Sequence, residues 1–294
     1  MTTARPDNIN AGPHTSDDGL FGPDSVTWRG MAHPSTAIAA ATAATIQMLY
    51  PPVMYVIDQA SSFREKPELR AQRTSEYGTT ITYGDVASAE KAAATLRRIH
   101  ARCHAVHPDT GETINADDEH LLVWVNNALT WSLLRGWQTY GLELSPADRD
   151  QFVVEQKVAA RLVGCDPDKV ASSAAELEEY MTSMEPRLAQ TTPCLWFKDL
   201  MAAAPDEGGA PAALGKSLMV NASIALMSDH HRRLYGFPWG PIRERLVVGT
   251  TKAVLGSVAE KTPFETAVTQ LRDYVDTHAF GARRQREVIV PVAS

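Results

Sequence analysis

Residues 95–130 read TLRRIHARCHAVHPDTGETINADDEHLLVWVNNALT. Their pattern decides the fold class. Ala89, Ala92, Ala93, Leu96, Ile99 and Cys103 recur at helical spacing, which predicts a helix over residues 85–105 with one apolar stripe. Pro108-Asp109-Thr110-Gly111 predicts a turn. Leu121, Leu122, Val125, Leu129, Leu133 and Trp137 then predict a second helix over residues 117–140. His100, His104 and His107 cluster between the two, in a chain with only nine histidines. On a continuous helix, His100 and His104 share one face.

Helical periodicity continues in both directions. Upstream, Asp24 or Ser25 can cap a helix after a turn at residues 21–25. Ser35 or Thr36 can cap an apolar helix over residues 36–50, which Pro51-Pro52 must break or kink. A further helix is expected over residues 68–77. The glycine-flanked stretch GTTITYG at residues 78–84 reads alone as a strand, but among helices it is a helical continuation or a loop. Downstream, Ser145-Pro146 predicts a capped helix running to about Val163. Ser173 and Glu176 form a candidate capping box for a helix to Met184. Helices are expected over residues 193–201, 212–235, 242–255 and 264–279, with residues 206–211 as a loop. Period-two alternation is almost absent and no βαβ series occurs. The prediction is an all-α, single-domain fold over residues 21–285, with tails at 1–20 and 286–294.

Composition narrows the function. The 294 residues are 44% hydrophobic and 21% charged, as in ordinary globular proteins. A net charge of −7 opposes nucleic acid as a partner, because phosphate binding needs a basic face. Residues 1–20 lack the apolar core of a secretory signal. Residues 37–57 carry no charged residue, yet the Pro51-Pro52 break favours a buried helix over a membrane span. Cys103, Cys165 and Cys194 are far apart and form no CxxC. A reducing, cytoplasmic compartment is the simplest expectation.

The common catalytic signatures are absent: no G-x-S-x-G, no phosphate or dinucleotide glycine loop, and no H-E-x-x-H. The histidines admit three assignments. They can be a solvated helix end that complements the helix dipole. His100 alone can ligate a haem iron within a helical bundle. His100 and His104 can hold a non-haem metal with Asp117 or Asp118. Arg70, Arg73 and Thr74 form a second candidate, two cations and a hydroxyl able to polarise a bound oxygen species, or else a solvated face paired with Glu68 or Glu76. His230-His231-Arg232-Arg233 reads as a structural helix end. Trp124, Trp131 and Trp137 read as core.

Several motifs follow one another in a fixed order. They are Phe21-Gly22-Pro23-Asp24-Ser25 with Trp28-Arg29; Arg70, Arg73 and Thr74; Arg97 and His100; Pro108, Asp109 and Gly111; Ala116, Asp117, Leu121, Leu122, Trp124 and Val125; and Arg233-Leu234-Tyr235-Gly236 with Pro238-Trp239. In this succession the chain resembles the MpaB and latex-clearing-protein oxygenase family, from about Phe21 to Trp239. The resemblance implies an all-α fold with one b-type haem between helices. It implies His100 as the proximal iron ligand and Arg70, Arg73 and Thr74 beside the haem on its oxygen side. It implies an apolar substrate and dioxygen as partners; characterised members cleave carbon–carbon double bonds of isoprenoid chains to carbonyl products. Arg97, His104 and Asn126 are further candidates for contact with the cofactor. Three positions depart from the family pattern. Tyr50 and Asn126 each stand where relatives often have His, and His104 stands where they often have Arg. A carrier or sensor that binds haem without turnover is the alternative from another class.

Overall fold

The computed structural model describes residues 18–61, 63–203 and 208–278. Most of the expected tails therefore lie outside the described residues, although Leu20 is buried. The described residues form thirteen α-helices and one two-stranded hairpin: α1 (Val26–Met31), α2 (Thr36–Gln47), α3 (Pro51–Ala60), α4 (Pro67–Tyr83), α5 (Val86–His100), β1 (His104–Val106), β2 (Thr113–Asn115), α6 (Glu119–Tyr140), α7 (Pro146–Leu162), α8 (Ala174–Met184), α9 (Thr192–Ala202), α10 (Gly209–Leu226), α11 (Asp229–Tyr235), α12 (Pro241–Lys261) and α13 (Phe264–His278). The all-α expectation holds.

The core is built on α2 and α6, which run antiparallel. The Trp137 indole N–H donates to Thr36 Oγ1 at the start of α2 (3.0 Å), and the Trp124 indole N–H donates to the Gln47 carbonyl at its end (3.1 Å). Between these anchors the helices touch where Gly136 meets Ala39. A Cβ on Gly136 would lie 2.6 Å from the Ala39 Cβ, so the approach requires glycine. The small residues of α2 permit this closeness, and its polar members cost little. Thr42 Oγ1 donates to the Ile38 carbonyl (2.9 Å) and Thr45 Oγ1 to the Ala41 carbonyl (2.7 Å). The three tryptophans are core, as expected.

Other elements are tied to one another and to this pair through buried polar anchors. Glu155 of α7 is fully buried, and its carboxylate accepts from the Val26 N–H (3.2 Å), the Thr27 N–H (2.8 Å) and the Thr27 hydroxyl (2.6 Å). It thus satisfies the orphan amides at the start of α1. The Tyr83 hydroxyl donates to the Trp28 carbonyl (2.8 Å), fixing α4 to α1. The Tyr235 hydroxyl donates to the Thr45 carbonyl (2.7 Å), fixing α11 to α2, and Gly236 ends α11 at φ +67°.

The structure decides two readings that the sequence left open and departs from others. Pro51-Pro52 does not merely break a helix: Pro51 opens α3, and α2 and α3 meet at a bend of 100°. Residues 78–83 continue α4, because Thr79, Thr80 and Thr82 donate to carbonyls four residues back and the segment is buried. The single helix expected over residues 212–235 is two. Ser228 interrupts it by accepting from the His231 N–H (3.2 Å) and starting α11. The helix expected over residues 85–105 ends at His100, so His104 lies on β1. Of the loop expected at residues 206–211, 206 and 207 lie outside the described residues, and α10 already begins at Gly209. No single described helix is long and apolar enough to cross a membrane; the bent α2–α3 pair passes that test only by length and composition.

Two outcomes test this packing. Gly136→Ala should lower the stability read from the urea midpoint by about 1–3 kcal/mol. Adding Ala39→Gly should recover part of that loss, since the two sites share one contact. His231 supplies the second. It is buried against Trp131, and burial, followed by the charges of His230, Arg135 and Arg232, lowers its pKa to about 3. The unfolded imidazole protonates near its ordinary value of 6.5 while the folded one stays neutral. Stability is therefore full above pH 6.5 and declines as pH falls from 6.5 toward 3. Across pH 6 to 4 the native chain should lose stability more steeply than His231→Gln, by up to about 1.4 kcal/mol per pH unit.

Candidate active site

The sequence-selected residues meet where α4 begins and α5 ends. α5 starts cleanly: the Asp85 carboxylate accepts from the Ser88 N–H (2.6 Å), and Ala89, Ala92 and Ala93 pack inward. α4 buries only its last turns, from Thr79 to Tyr83. The two helices therefore pack together near their connecting turn. Toward Arg70 on one and His100 on the other, neither has a fully buried residue. Gly78 lies at the border of these regions, with no atom within 4 Å of where its Cβ would be. A mid-helix glycine costs about 1 kcal/mol relative to alanine, and no close contact within the chain requires this one.

The hairpin completes the site. β1 pairs antiparallel with β2 in the register His104↔Asn115, and the Ala116 N–H donates to the Cys103 carbonyl (2.9 Å). The next residue, Asp117, is thereby folded back toward His100. Its carboxylate favours the charged imidazole, while burial, the larger effect, and Arg70 disfavour it; the net shift is downward. His100 is neutral near pH 7. Its Nδ1 is buried and has no hydrogen-bond partner among the described residues.

Arg70 stands opposite. Burial lowers its pKa and the Cys103 sulfur opposes that shift, but guanidinium remains protonated in any such setting. Burial raises the Cys103 thiol and Arg70 opposes it, so the sulfur is a neutral neighbour. Arg73 is half-buried one turn along α4. Thr74 is exposed, and its hydroxyl donates to the Arg70 carbonyl (3.1 Å). Arg97 reaches across to α7, where its guanidinium donates to the Leu162 carbonyl; its charge also acts on the Tyr77 hydroxyl, which burial raises.

His104 and Asn126 stand differently. The four-residue spacing of His100 and His104 does not put them on one helical face, because Ala101 caps α5 and the chain turns into β1. His104 is exposed on the hairpin. Among the described residues, no three His, Cys, Asp or Glu side chains come together where a metal ion could be held. The two-histidine, one-carboxylate arrangement thus loses its geometric premise. Asn126 is half-buried on α6, with its carbonyl accepting from the Thr130 hydroxyl (2.8 Å), and no contact joins it to His100.

Two clefts open elsewhere, on either side of His120. One, of about 240 Å³, is lined by Tyr50, Glu119, Val123, Lys169, Tyr180 and Arg187 among others. The second, of about 520 Å³, includes Pro52, His107, Glu112, Thr113 and Asp118. Neither is lined by His100 or Arg70. Tyr50 thus faces a cleft, whereas Asn126 lines neither of the two. The sequence reading passed over His120 and gave Tyr77 no role. Tyr77 had a signal, since its spacing from Arg70 and Arg73 is that of one helical face. His120 had none beyond its place in the first turn of α6.

No curated protein and no solved structure matches the chain. A family model does, over residues 28–256, described as the catalytic domain of the ER-bound oxygenase mpaB/B' and rubber oxygenase. That span runs from within α1 through most of α12 and contains every candidate residue around His100. The chain belongs to the mpaB/rubber oxygenase catalytic-domain family, and its domain is that of an oxygenase.

Proposed function

We propose that this protein is a haem-b-dependent oxygenase that acts with dioxygen on an apolar small molecule, with His100 as the single protein ligand to iron. The observation that carries the reading is His100 itself: a neutral imidazole with a buried, unpartnered Nδ1, at the end where α4 and α5 bury no residue of their own. A ligating imidazole must be neutral. An unpaired buried nitrogen costs about 1–3 kcal/mol unless something occupies the site. One axial histidine suffices for haem, whereas a bare iron ion would need further ligands. Haem b, when bound, supplies the iron at which dioxygen is bound and activated.

The chain's own residues would do the rest. Asp117 is the carboxylate whose charge favours the His100 cation and so would raise its basicity as a ligand. Arg70 and Arg73 supply fixed positive charge on the facing helix, which stabilises negative charge developing on oxygen. Thr74 contributes a hydroxyl on the same turn. His104 and Arg97, both exposed, are assigned to the carboxylate edge of the cofactor. An apolar substrate accords in this reading with the alanine- and methionine-rich segments at residues 37–54 and 214–227. Three free cysteines accord with a reducing, cytoplasmic setting.

The test is spectroscopic. Protein purified after haem-replete expression should show a Soret band. His100→Ala should abolish it, whereas His104→Ala should keep it. A native chain that stays colourless and takes up no haemin would overturn the reading. Oxygen consumption by the reduced protein across a panel of alkenes separates turnover from mere binding. In that assay Arg70→Met should lower the rate by about 10–100-fold with the Soret band retained.

A further inference from the structure

α12 takes no part in the candidate site, and it shows solvent a face that a lone surface helix does not need. Its inward line is Val248, Thr251 and Leu255: Thr251 is buried, and the other two pack against the main core. The opposite side, at alternating steps of four and three residues, is Ile242, Leu246, Gly249, Ala253, Gly256 and Glu260. All six are exposed, and only the last is polar. Ile242 is 78% exposed and Leu246 65%. Nothing lies within 4 Å of where a Cβ on Gly249 or Gly256 would be. No contact among the described residues therefore requires either glycine, and each weakens the helix that holds it. Arg245, beside the stripe at one end, and Glu260, in it at the other, make no ion pair or side-chain hydrogen bond among the described residues.

We propose that this face of α12 joins two copies of the chain in a symmetric dimer, with the two helices antiparallel. Reversed upon itself, the stripe falls into register without a slip. Ile242 comes level with Glu260 of the second copy, Leu246 with Gly256, and Gly249 with Ala253. The leucine of one helix thus lies over a glycine of the other, and glycine against alanine at the centre lets the two close. Arg245 stands one turn inward of Ile242, within reach of the Glu260 carboxylate of the second copy. A parallel pair would instead set Leu246 on Leu246 and Glu260 on Glu260. Size and charge both select the antiparallel arrangement, and the two-fold axis repeats every contact. The same charge pattern commits the face to protein: a lipid surface would have to take up an ionised Glu260 with the apolar stripe.

Sedimentation equilibrium of the full chain, from nanomolar to high-micromolar concentration, reads the dimer directly. The mass should rise from the 32.1 kDa of one chain to twice that. Gly249→Gln favours the helix and meets nothing in its own chain, so the circular dichroism should be unchanged. Its side chain should nevertheless raise the dissociation constant by about 10-fold or more, because it separates the helices near the two-fold axis. Arg245→Glu should weaken the dimer by a similar factor, and adding Glu260→Arg should restore it to within about 3-fold. About 22 Å of helix separates these two positions in one chain, so that recovery can come only from contact between copies. A chain that stays monomeric at every concentration overturns the proposal, even if it binds vesicles of phosphatidylserine and phosphatidylcholine instead. So does a dimer that Gly249→Gln leaves intact, or a double swap that associates no better than Arg245→Glu alone.

Discussion

The contact between Gly136 and Ala39 sets the spacing on which the rest of the molecule depends. Two helices can approach this closely only where one lacks a side chain and the other offers a methyl group. Once they do, Trp124 and Trp137 reach the two ends of α2 and fix its position along α6. Trp137 also lies on Gly30, where a Cβ would meet the indole at 2.4 Å, so the same seam seats α1. The seam fixes α1, α1 fixes α4 through Tyr83, and α4 carries Arg70 and Arg73. The candidate site is thus positioned at the end of a chain of contacts rather than at the centre of the core.

That position has a physical logic. On the proposed reading, a site for a large planar cofactor and an apolar substrate cannot be packed by the protein's own side chains. α4 and α5 are anchored at one end and unfilled at the other, and the polar residues of interest sit in the unfilled half. Burial there is partial, enough to hold His100 neutral and to desolvate Arg70.

Much of this was legible in the sequence. Ser145-Pro146 announced α7, and the capping box formed with Asp148. Ser173 caps α8 as expected, but Glu176 accepts from the Ser172 N–H rather than closing the box. What the residue pattern did not display was where hydrogen bonds would go. No glycine or proline marks the end of α5; the backbone leaves the helix because Cys103 finds Ala116. An unbroken apolar run hid the Ser228 cap. The threonines of GTTITYG favour a strand in isolation, yet each satisfies its hydroxyl within α4. The resemblance to a family of oxygenases reached His100 without any of this geometry.

The antiparallel seam also bears on synthesis. The hydrogen bonds that tie α2 to α6 span 77 and 101 residues of sequence. At roughly 5–20 residues per second, α2 leaves the ribosome on the order of 4–20 s before its partner exists. Throughout that interval an uncharged helix, apolar on almost every side, has nothing of its own to cover it. Holding this segment apart from other nascent chains is therefore work for the folding machinery of the cell, and the rate of elongation through α3 to α6 sets how long that work lasts.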